Sequence, residues 1–497
     1  MNAAVVGVIG WCAGAAVAAA PPALTDVEEL QPLVERWTGF AEDLGIGGYA
    51  IALIKDGELL AAEGFGVRDA EEAEPVDADT MYYIASCTKT YVAAAIVDLA
   101  HQGTVDLDHP VTRYLPEFIL ADGSQSSVTL RDLLGHKKGL NSGTAVQLDA
   151  YTGTITDDRY FHWLAEEASS GDIQYTNVNF TLLGRVIERV SGQSWRNYLD
   201  EHLFTPAGMH RTTGYATEMY TDANAAFPQV LGDDGLERAE MIKNDAVMHA
   251  AGGLGTSALD AARWLMLHIN EGRLDGRQVL PAAVIEEALT AQSSFPSTRG
   301  RLRAMEGFAA GWQRGTWAGG PKYYQHGGGY VGTSAHLSMI PEEGLGVVVL
   351  VNLSPEGIAL HEVLSIDYYD HMLGVEEPHD FLEQYGDRIK DYRAREDEPA
   401  PPRLTSAALS LPARSYLGRF SNTWMGEIEI AFRQGELAGR MGNYPITLHA
   451  APEGGADRCL FLSGGNAADL RFVIDQGTVV AIEVTDDGDT ARYDRVR

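Results

Sequence analysis

The stretch from Met81 to Ala100 constrains this chain more than any other. Met-Tyr-Tyr-Ile-Ala (81 to 85) reads as an extended lead-in, and Ser86-Cys87-Thr88-Lys89-Thr90-Tyr91 opens a helix that runs through Val92 to Ala100 and is apolar nearly all round. A helix with no polar face has to be enclosed by other elements, so the fold must be built around it. Ser86 falls in its first turn, and Lys89, three residues on, lies on the same face one turn later. That pairs a nucleophile with a base. The helix N-terminus adds unpaired backbone N–H groups and a positive dipole end near Ser86. Burial in so apolar a helix lowers a lysine pKa, by up to ~3–5 units when complete, which lets the amine accept the Ser86 proton near neutrality.

Ser-x-x-Lys is expected about once by chance in a chain of this length, so the spacing alone carries little. The context carries more. Lysine is scarce, no other lysine has a serine three residues before it, and a charge inside an apolar helix needs a partner or a function.

Two further stretches hold polar groups in suggestive places. Ile173-Gln174-Tyr175-Thr176-Asn177 reads as an extended loop before a helix from Thr181 to Ser191, and side chains two apart in such a loop, Tyr175 and Asn177, point to the same side. Tyr323-Tyr324-Gln325-His326-Gly327-Gly328-Gly329-Tyr330 reads as a strand whose glycines let a backbone or a substrate come close, with His326 at the edge. Taken singly, Tyr-x-Asn is a common surface triplet and the glycine run a common bulge.

Around these, Thr25 to Leu44 has the spacing of an amphipathic helix, and Gly47 to Ile54 with Glu58 to Val67 flank a Lys55-Asp56-Gly57 turn as a β-hairpin. Thr129 to His136 is a short helix, and His136 at its end takes a structural role. Phe204 to Ala250 shows no strong period and reads as loops, the usual material of pocket walls. Helices are expected at Leu259 to Asn270, Pro281 to Thr290 and Glu356 to Leu373, and strands at Thr333 to Ile340 and Leu345 to Asn352. Pro378 to Arg393 is polar and helical, and Ala394 to Pro402 has the composition of a linker. Beyond it, eight short alternating segments from Arg414 to Val496 predict a small antiparallel β-barrel or sandwich without a catalytic constellation.

With 497 residues the chain suits a large body plus a smaller module, and its formal charge of −33 argues against nucleic acid or an anionic membrane as partner. Cys12, Cys87 and Cys459 give neither a disulfide framework nor metal spacing, Cys87 reads as a packing residue, and no metal or organic cofactor is implied. Met1 to Ala20 is an apolar run ending in Ala18-Ala19-Ala20 without a basic start, which reads as an export signal or an uncleaved N-terminal anchor. The expected location is therefore periplasmic or secreted, with membrane contact only through that segment.

Ser86-Cys87-Thr88-Lys89, Tyr175-Thr176-Asn177 and His326-Gly327-Gly328, in this order, resemble the motifs of the serine β-lactamase and penicillin-binding-protein-like hydrolases, and most closely the branch with class C β-lactamases, esterases and D-aminopeptidases. Asp106-Leu107-Asp108-His109-Pro110-Val111, Leu182-Leu183-Gly184, Ala251-Gly252-Gly253-Leu254 and Met339-Ile340-Pro341-Glu342 share the likeness, which covers roughly residues 25 to 375. The C-terminal module resembles the lipocalin-like barrel of some relatives. The resemblance implies an α/β (α+β) serine β-lactamase-like fold, an antiparallel sheet flanked by helices with an all-helical subdomain. The expected division is a leader at 1–20, a hydrolase domain at 21–392, a linker at 393–404 and a barrel at 405–497.

It also implies roles: Ser86 is acylated, Lys89 activates it, Tyr175 shares the acid and base work, and Asn177 orients Lys89 and the substrate. The N–H groups of Ser86 and Gly329 form the oxyanion hole, with Gly328 beside it and His326 at the pocket wall. Two departures matter. Tyr-x-Asn stands for Ser-Asp-Asn with no class A deacylating Glu loop, and His-Gly-Gly for Lys-Thr-Gly, which removes a fixed cation for a substrate carboxylate. The reading is an exported hydrolase of a small-molecule or peptide ester or amide, ahead of a penicillin-binding protein or β-lactamase and of a silent binding protein on the same scaffold. The barrel is a candidate surface for homo-oligomerisation.

Overall fold

The computed structural model describes residues 21–232, 235–296, 303–375, 402–405, 409–433, 436–451, 456–463, 466–486 and 489–496. The expected leader, the polar helix after Pro378 and nearly all of the linker lie outside the described residues.

The body is built on an eight-stranded antiparallel sheet in the order Glu58–Gly66, Gly48–Lys55, Leu345–Val351, Thr333–Ile340, Lys322–Tyr330, Gln313–Trp317, Arg303–Phe308 and Ser293–Ser294. Its central strands read as unbroken apolar runs because both faces are covered. In Gly48–Lys55, Tyr49, Ile51 and Leu53 face the helices Gln31–Asp43 and Glu356–Leu373, while Ala50, Ala52 and Ile54 face the helix Ala258–Ile269 and share its core with the central helix Thr88–His101. Ala93, Ala94 and Ala95 of the central helix are all fully buried. Every residue from Thr88 to Leu99 is buried, as the all-round apolar pattern requires. At roughly 1.5–3 kcal/mol per buried Val, Leu or Ile, this helix is the main anchor of the body.

The N-terminal helix is shorter than its periodicity suggests. Two 3-10 turns, Leu24–Asp26 and Glu28–Leu30, precede Gln31–Asp43, where Pro32 sits in the first turn without breaking a hydrogen bond. The expected hairpin forms with Asp56 and Gly57 both at positive φ in its turn. Phe204 to Ala250 departs most from expectation. It carries a short helix at Ala216–Thr221, a hairpin of Gln229–Gly232 and Gly235–Arg238, and a 3-10 turn at Asp245–Val247. Elements this short have no sequence period of their own and form by packing on the body.

The C-terminal region is a closed barrel of eight antiparallel strands between Gly418 and Arg495. Alternate residues such as Phe420, Ile428, Ile430, Leu448, Phe472 and Tyr493 fill its interior. Among the described residues, Arg433 at the end of a barrel strand pairs with Glu240, and two barrel turns reach the body through hydrogen bonds. At one, Arg159 Nε donates to the Thr423 carbonyl at 2.8 Å and His162 stacks on Trp424 at 3.8 Å. At the other, Asn443 meets the loops around Thr152 and Ile242. Among the described residues no helix is long and apolar enough to cross a membrane.

Candidate active site

A two-residue strand, Tyr82–Tyr83, pairs with Gly255–Thr256 and delivers the chain to Ala85, which is held at φ +45°. A non-glycine residue in that region is strained, and such positions persist where the surroundings over-determine them. Ala85–Cys87 forms one 3-10 turn, and the central helix begins at Thr88. Ser86 thus sits on a tight turn at the head of the buried helix, with Lys89 one turn below it.

Lys89 is fully buried. Its Nζ lies 3.0 Å from Ser86 Oγ, 2.7 Å from Asn177 Oδ1 and 2.6 Å from the Ala251 carbonyl. The Tyr175 and Phe180 rings stand 4.9 and 5.8 Å from it, centroid to nitrogen. Desolvation pulls the Lys89 pKa down to about 7, against a weaker opposing influence of Cys87. The amine is therefore close to half neutral at physiological pH, and in that form it can take a proton from Ser86 while donating to Asn177 and Ala251.

Asn177 and Tyr175 reach the site by a different route from the one the sequence suggested. Asn177 is the first residue of the helix Asn177–Ser191, not part of an extended loop, and Thr176 caps it by accepting from Val178 N at 3.2 Å. Asn177 therefore points along the start of a helix, whereas Tyr175 lies ahead of the cap. The residue Tyr175 is 41% exposed; desolvation of the part that faces the protein raises the phenol above its ordinary range, and the nearby Ser86 opposes the rise. Its ring packs on His136 at 4.6 Å.

His136 is buried, and its Nδ1 lies 3.3 Å from Thr176 N and 3.3 Å from Asn179 Nδ2. Burial, and then the nearby Lys89, hold it neutral, so it can accept from the Thr176 N–H and brace the Tyr175–Asn177 segment. Sequence reading placed it as structural without this contact.

His326 lies on the strand Lys322–Tyr330 and faces the site: its ring is 5.9 Å from that of Tyr175, and its carbonyl accepts from Cys87 Sγ at 3.2 Å. Desolvation, helped by the charge on Lys89, lowers its pKa to about 3. Its Nδ1 is 2.7 Å from the Gly327 carbonyl and must carry the proton, which leaves Nε2, buried and without a hydrogen-bond partner, as an acceptor. Gly328 is where the strand passes against the Ser86 turn. A Cβ there would collide with the Ile84 carbonyl, whereas one at Gly329 would meet nothing.

Cys87 is buried and burial raises its thiol pKa far above the ordinary value, so it is a packing residue and no rival nucleophile. The sequence reading missed the Ala251 carbonyl, because a main-chain acceptor has no side-chain signature. It also missed a group of metal-binding residue types, His336, His361 and Glu362, whose ligand atoms lie within 4.8 Å of one another. His336 alternates with Ala335 and Leu337 and so lies on the face of the sheet away from the central helix, outside this site.

A family model described as Beta-lactamase matches residues 33–362. The chain belongs to the beta-lactamase family. Among curated relatives, it is 28% identical over 380 residues to penicillin-binding protein 4 of Amycolatopsis lactamdurans, covering 74% of this chain and 93% of that one. It is 25% identical over 338 residues to protein flp of Staphylococcus aureus, covering 66% of this chain and spanning 64% of the length of that relative. Among solved structures, the octameric penicillin-binding protein homologue from Pyrococcus abyssi superposes with a TM-score of 0.60 at 24% identity, over 93% of this chain and 99% of that one. SurE superposes with a TM-score of 0.57 at 21% identity, over 94% and 99%. These two likenesses extend across the body and the barrel of this beta-lactamase-family chain and speak for the fold.

Proposed function

We propose that this chain is a serine hydrolase that cleaves an ester or amide through an acyl-enzyme on Ser86. One observation carries the reading: the Nζ of a fully buried lysine, with its pKa lowered to about 7, lies 3.0 Å from Ser86 Oγ. Neutral Lys89 takes the Ser86 proton as Oγ attacks the substrate carbonyl. The oxyanion that forms is met by the backbone N–H groups of Ser86 and Gly329, each such donor contributing on the order of 10²–10³-fold. The opposite pKa displacements of Lys89 and Tyr175 divide the work: the amine is the base and the protonated phenol the acid that supplies the leaving group. Collapse expels that group as an alcohol or amine. Water then attacks the acyl ester and gives its proton to the Tyr175 phenolate, while protonated Lys89 returns a proton to Ser86 Oγ as the acid leaves.

Neutral His326 offers an acceptor, Nε2, where a fixed cation would favour a substrate carboxylate. This supports a substrate with a hydrogen-bond donor at that point, an amide N–H or a hydroxyl, and disfavours a penicillin-like carboxylate. A β-lactam-acylated protein is the second reading, favoured by the 28% identity to a chain named penicillin-binding protein 4. Export, from the apolar segment Met1 to Ala20, and self-association through the barrel are part of the proposal and rest on sequence and likeness alone.

Intact mass after exposure to a fluorophosphonate tests the core of it. One adduct on the wild type and none on Ser86→Ala is expected. A folded protein that gains no adduct overturns the reading, and adduct formation with benzylpenicillin but not with the fluorophosphonate turns it to the second.

A further inference from the structure

The strand Lys322–Tyr330 carries His326, Gly328 and Tyr330 on one face, because side chains alternate along a strand. Gly328 lies against the Ser86 turn, so Tyr330 extends the same wall roughly 6–7 Å further out. This end of the strand is a hairpin tip: Tyr330 pairs with Thr333, and the chain turns at Val331 and Gly332. The body holds one side of the tip: the Tyr83 ring meets Tyr330 edge-on at 5.7 Å, and Gln229 N donates to the Gly332 carbonyl at 3.0 Å. On the other side, Tyr330 and Val331 pack against the hydrophobic cluster of the barrel, with Tyr151.

The hydrogen bonds that tie the barrel to the loops behind this end converge on one residue, Asn443. Tyr330 stacks on Tyr151 at 5.4 Å and 28°, and Tyr151 meets the barrel residue Tyr444 edge-on at 6.2 Å and 83°. Next to Tyr444, Asn443 N donates to the Thr152 carbonyl at 2.8 Å, and Asn443 Nδ2 donates to the Ile242 carbonyl at 2.8 Å. Asn443 Oδ1 accepts from Asn244 Nδ2 at 3.0 Å. The two loops it joins are those that bear Tyr151 and Lys243, and Lys243 Nζ stands 3.9 Å from the Tyr330 ring centre. Gly442 before it is at φ +55°, and a Cβ there would strike the Thr152 carbonyl, so the turn is shaped to put Asn443 between the loops.

We propose that Asn443 is a positioning residue: by clamping the Thr152 and Ile242 loops it seats Tyr151 on Tyr330 and so fixes the Gly329–Tyr330 wall of the cleft. The barrel thereby limits the size of the group that the cleft accepts beside Gly329. The inference rests on the reading of Ser86 as the nucleophile. Its physical basis is that a displacement of about 1 Å at a reacting centre costs on the order of 10²-fold in rate, so a wall that the body holds on its Tyr83 side still depends on how its Tyr151 side is seated.

The test uses the full chain and three variants: Asn443→Ala in the barrel, Asn244→Ala in the body, and Trp424→Ala, which loosens the other barrel turn without touching Tyr151. Two readouts are taken, hydrogen exchange in the peptide spanning residues 324 to 333, and the rates at which Ser86 is labelled by diisopropyl fluorophosphate and by a bulkier aryl fluorophosphonate. Asn443→Ala and Asn244→Ala are expected to speed exchange at the hairpin tip and to change the bulky-to-small rate ratio by at least about fivefold. Trp424→Ala is expected to change neither. Asn244→Ala keeps the test open if Asn443→Ala does not fold. Unchanged exchange and ratio in a folded variant overturn the proposal, as does an equal change in Trp424→Ala, which would mark general docking. A wild type that is never labelled, but whose tip still loosens in the Asn443 variant, overturns the hydrolase reading and leaves the clamp standing.

Discussion

Two lysines in this molecule share an environment. Lys89 and Lys243 are both buried, both are bonded to backbone carbonyls, both lie near tyrosine rings, and in both desolvation brings the pKa to about 7. They differ in what else they touch. Lys89 has Ser86 Oγ at 3.0 Å and Asn177 Oδ1 at 2.7 Å. Lys243 has the Ala150 and Val247 carbonyls at 2.5 and 3.2 Å and the face of Tyr330. A carbonyl has no proton to give. A depressed lysine pKa therefore supplies a base in both places, but only at Lys89 does the geometry put a hydroxyl within its reach. Lys243 is bound into the seam between body and barrel, and its neutral-leaning amine is the cost of a cation enclosed by rings and carbonyls with Asp149 as a weak counter-influence.

The largest effect that would sharpen the contrast is at the nucleophile. Ser86→Ala should reduce ester turnover by about 10⁴-fold or more while the melting temperature stays within a few degrees, since the substitution removes one oxygen from a turn. Turnover that survives in the variant breaks the reading. Lys89→Met, which keeps the volume and removes the base, should slow Ser86 labelling by about 10²–10⁴-fold. If the loss is under about threefold, Lys89 is as structural as Lys243. The pH dependence comes next. Because the base acts in its neutral form, labelling should rise about tenfold per pH unit below about 7 and level off above it. The Lys243→Met protein should keep that midpoint, and a midpoint displaced by a full unit would mean that the two amines titrate as one system.

Much of this site was legible because its parts sit on strongly periodic elements. Ser86 and Lys89 share one helix face by spacing, and the all-round apolar pattern of Val92 to Ala100 required the burial that lowers the lysine pKa. Asn177 was seen but misplaced on an extended loop, although Thr176 ahead of Asn177 and Val178 is a helix-capping signal that would have started the helix there. The Ala251 carbonyl, the clamp at Asn443 and the pairing of Lys243 with Tyr330 were not legible, since each depends on which loops meet in space. Phe204 to Ala250, which supplies Ile242, Lys243 and Asn244, is built of elements too short to show a period. The eight barrel strands were readable from their alternation, but not the turn whose Asn443 meets the Thr152 and Ile242 loops.

The smallest expected effect is the one that isolates Lys243. A lysine in the unfolded chain keeps its proton up to about pH 10.5, whereas in the fold Lys243 gives it up near 7. Between those values the unfolded state binds more protons, so the contribution of this group to stability grows as pH rises from about 7; below about 7 both states are protonated and the penalty for the buried charge is constant at its maximum. Lys89 contributes in the same direction, and the raised thiol pKa of Cys87 works the other way only near and above its ordinary value of about 9. Comparing urea midpoints at pH 6.0, 7.5 and 8.5 for the wild type and Lys243→Met cancels every other titrating group. The wild type should gain more from the rise in pH than the variant, and the variant should be the more stable of the two at pH 6.0, where the buried ammonium is hardest to hold. Parallel curves would show that Lys243 keeps its proton throughout, solvated by its carbonyls and the Tyr330 ring, and that a buried lysine in this fold loses its charge only where Ser86 waits beside it.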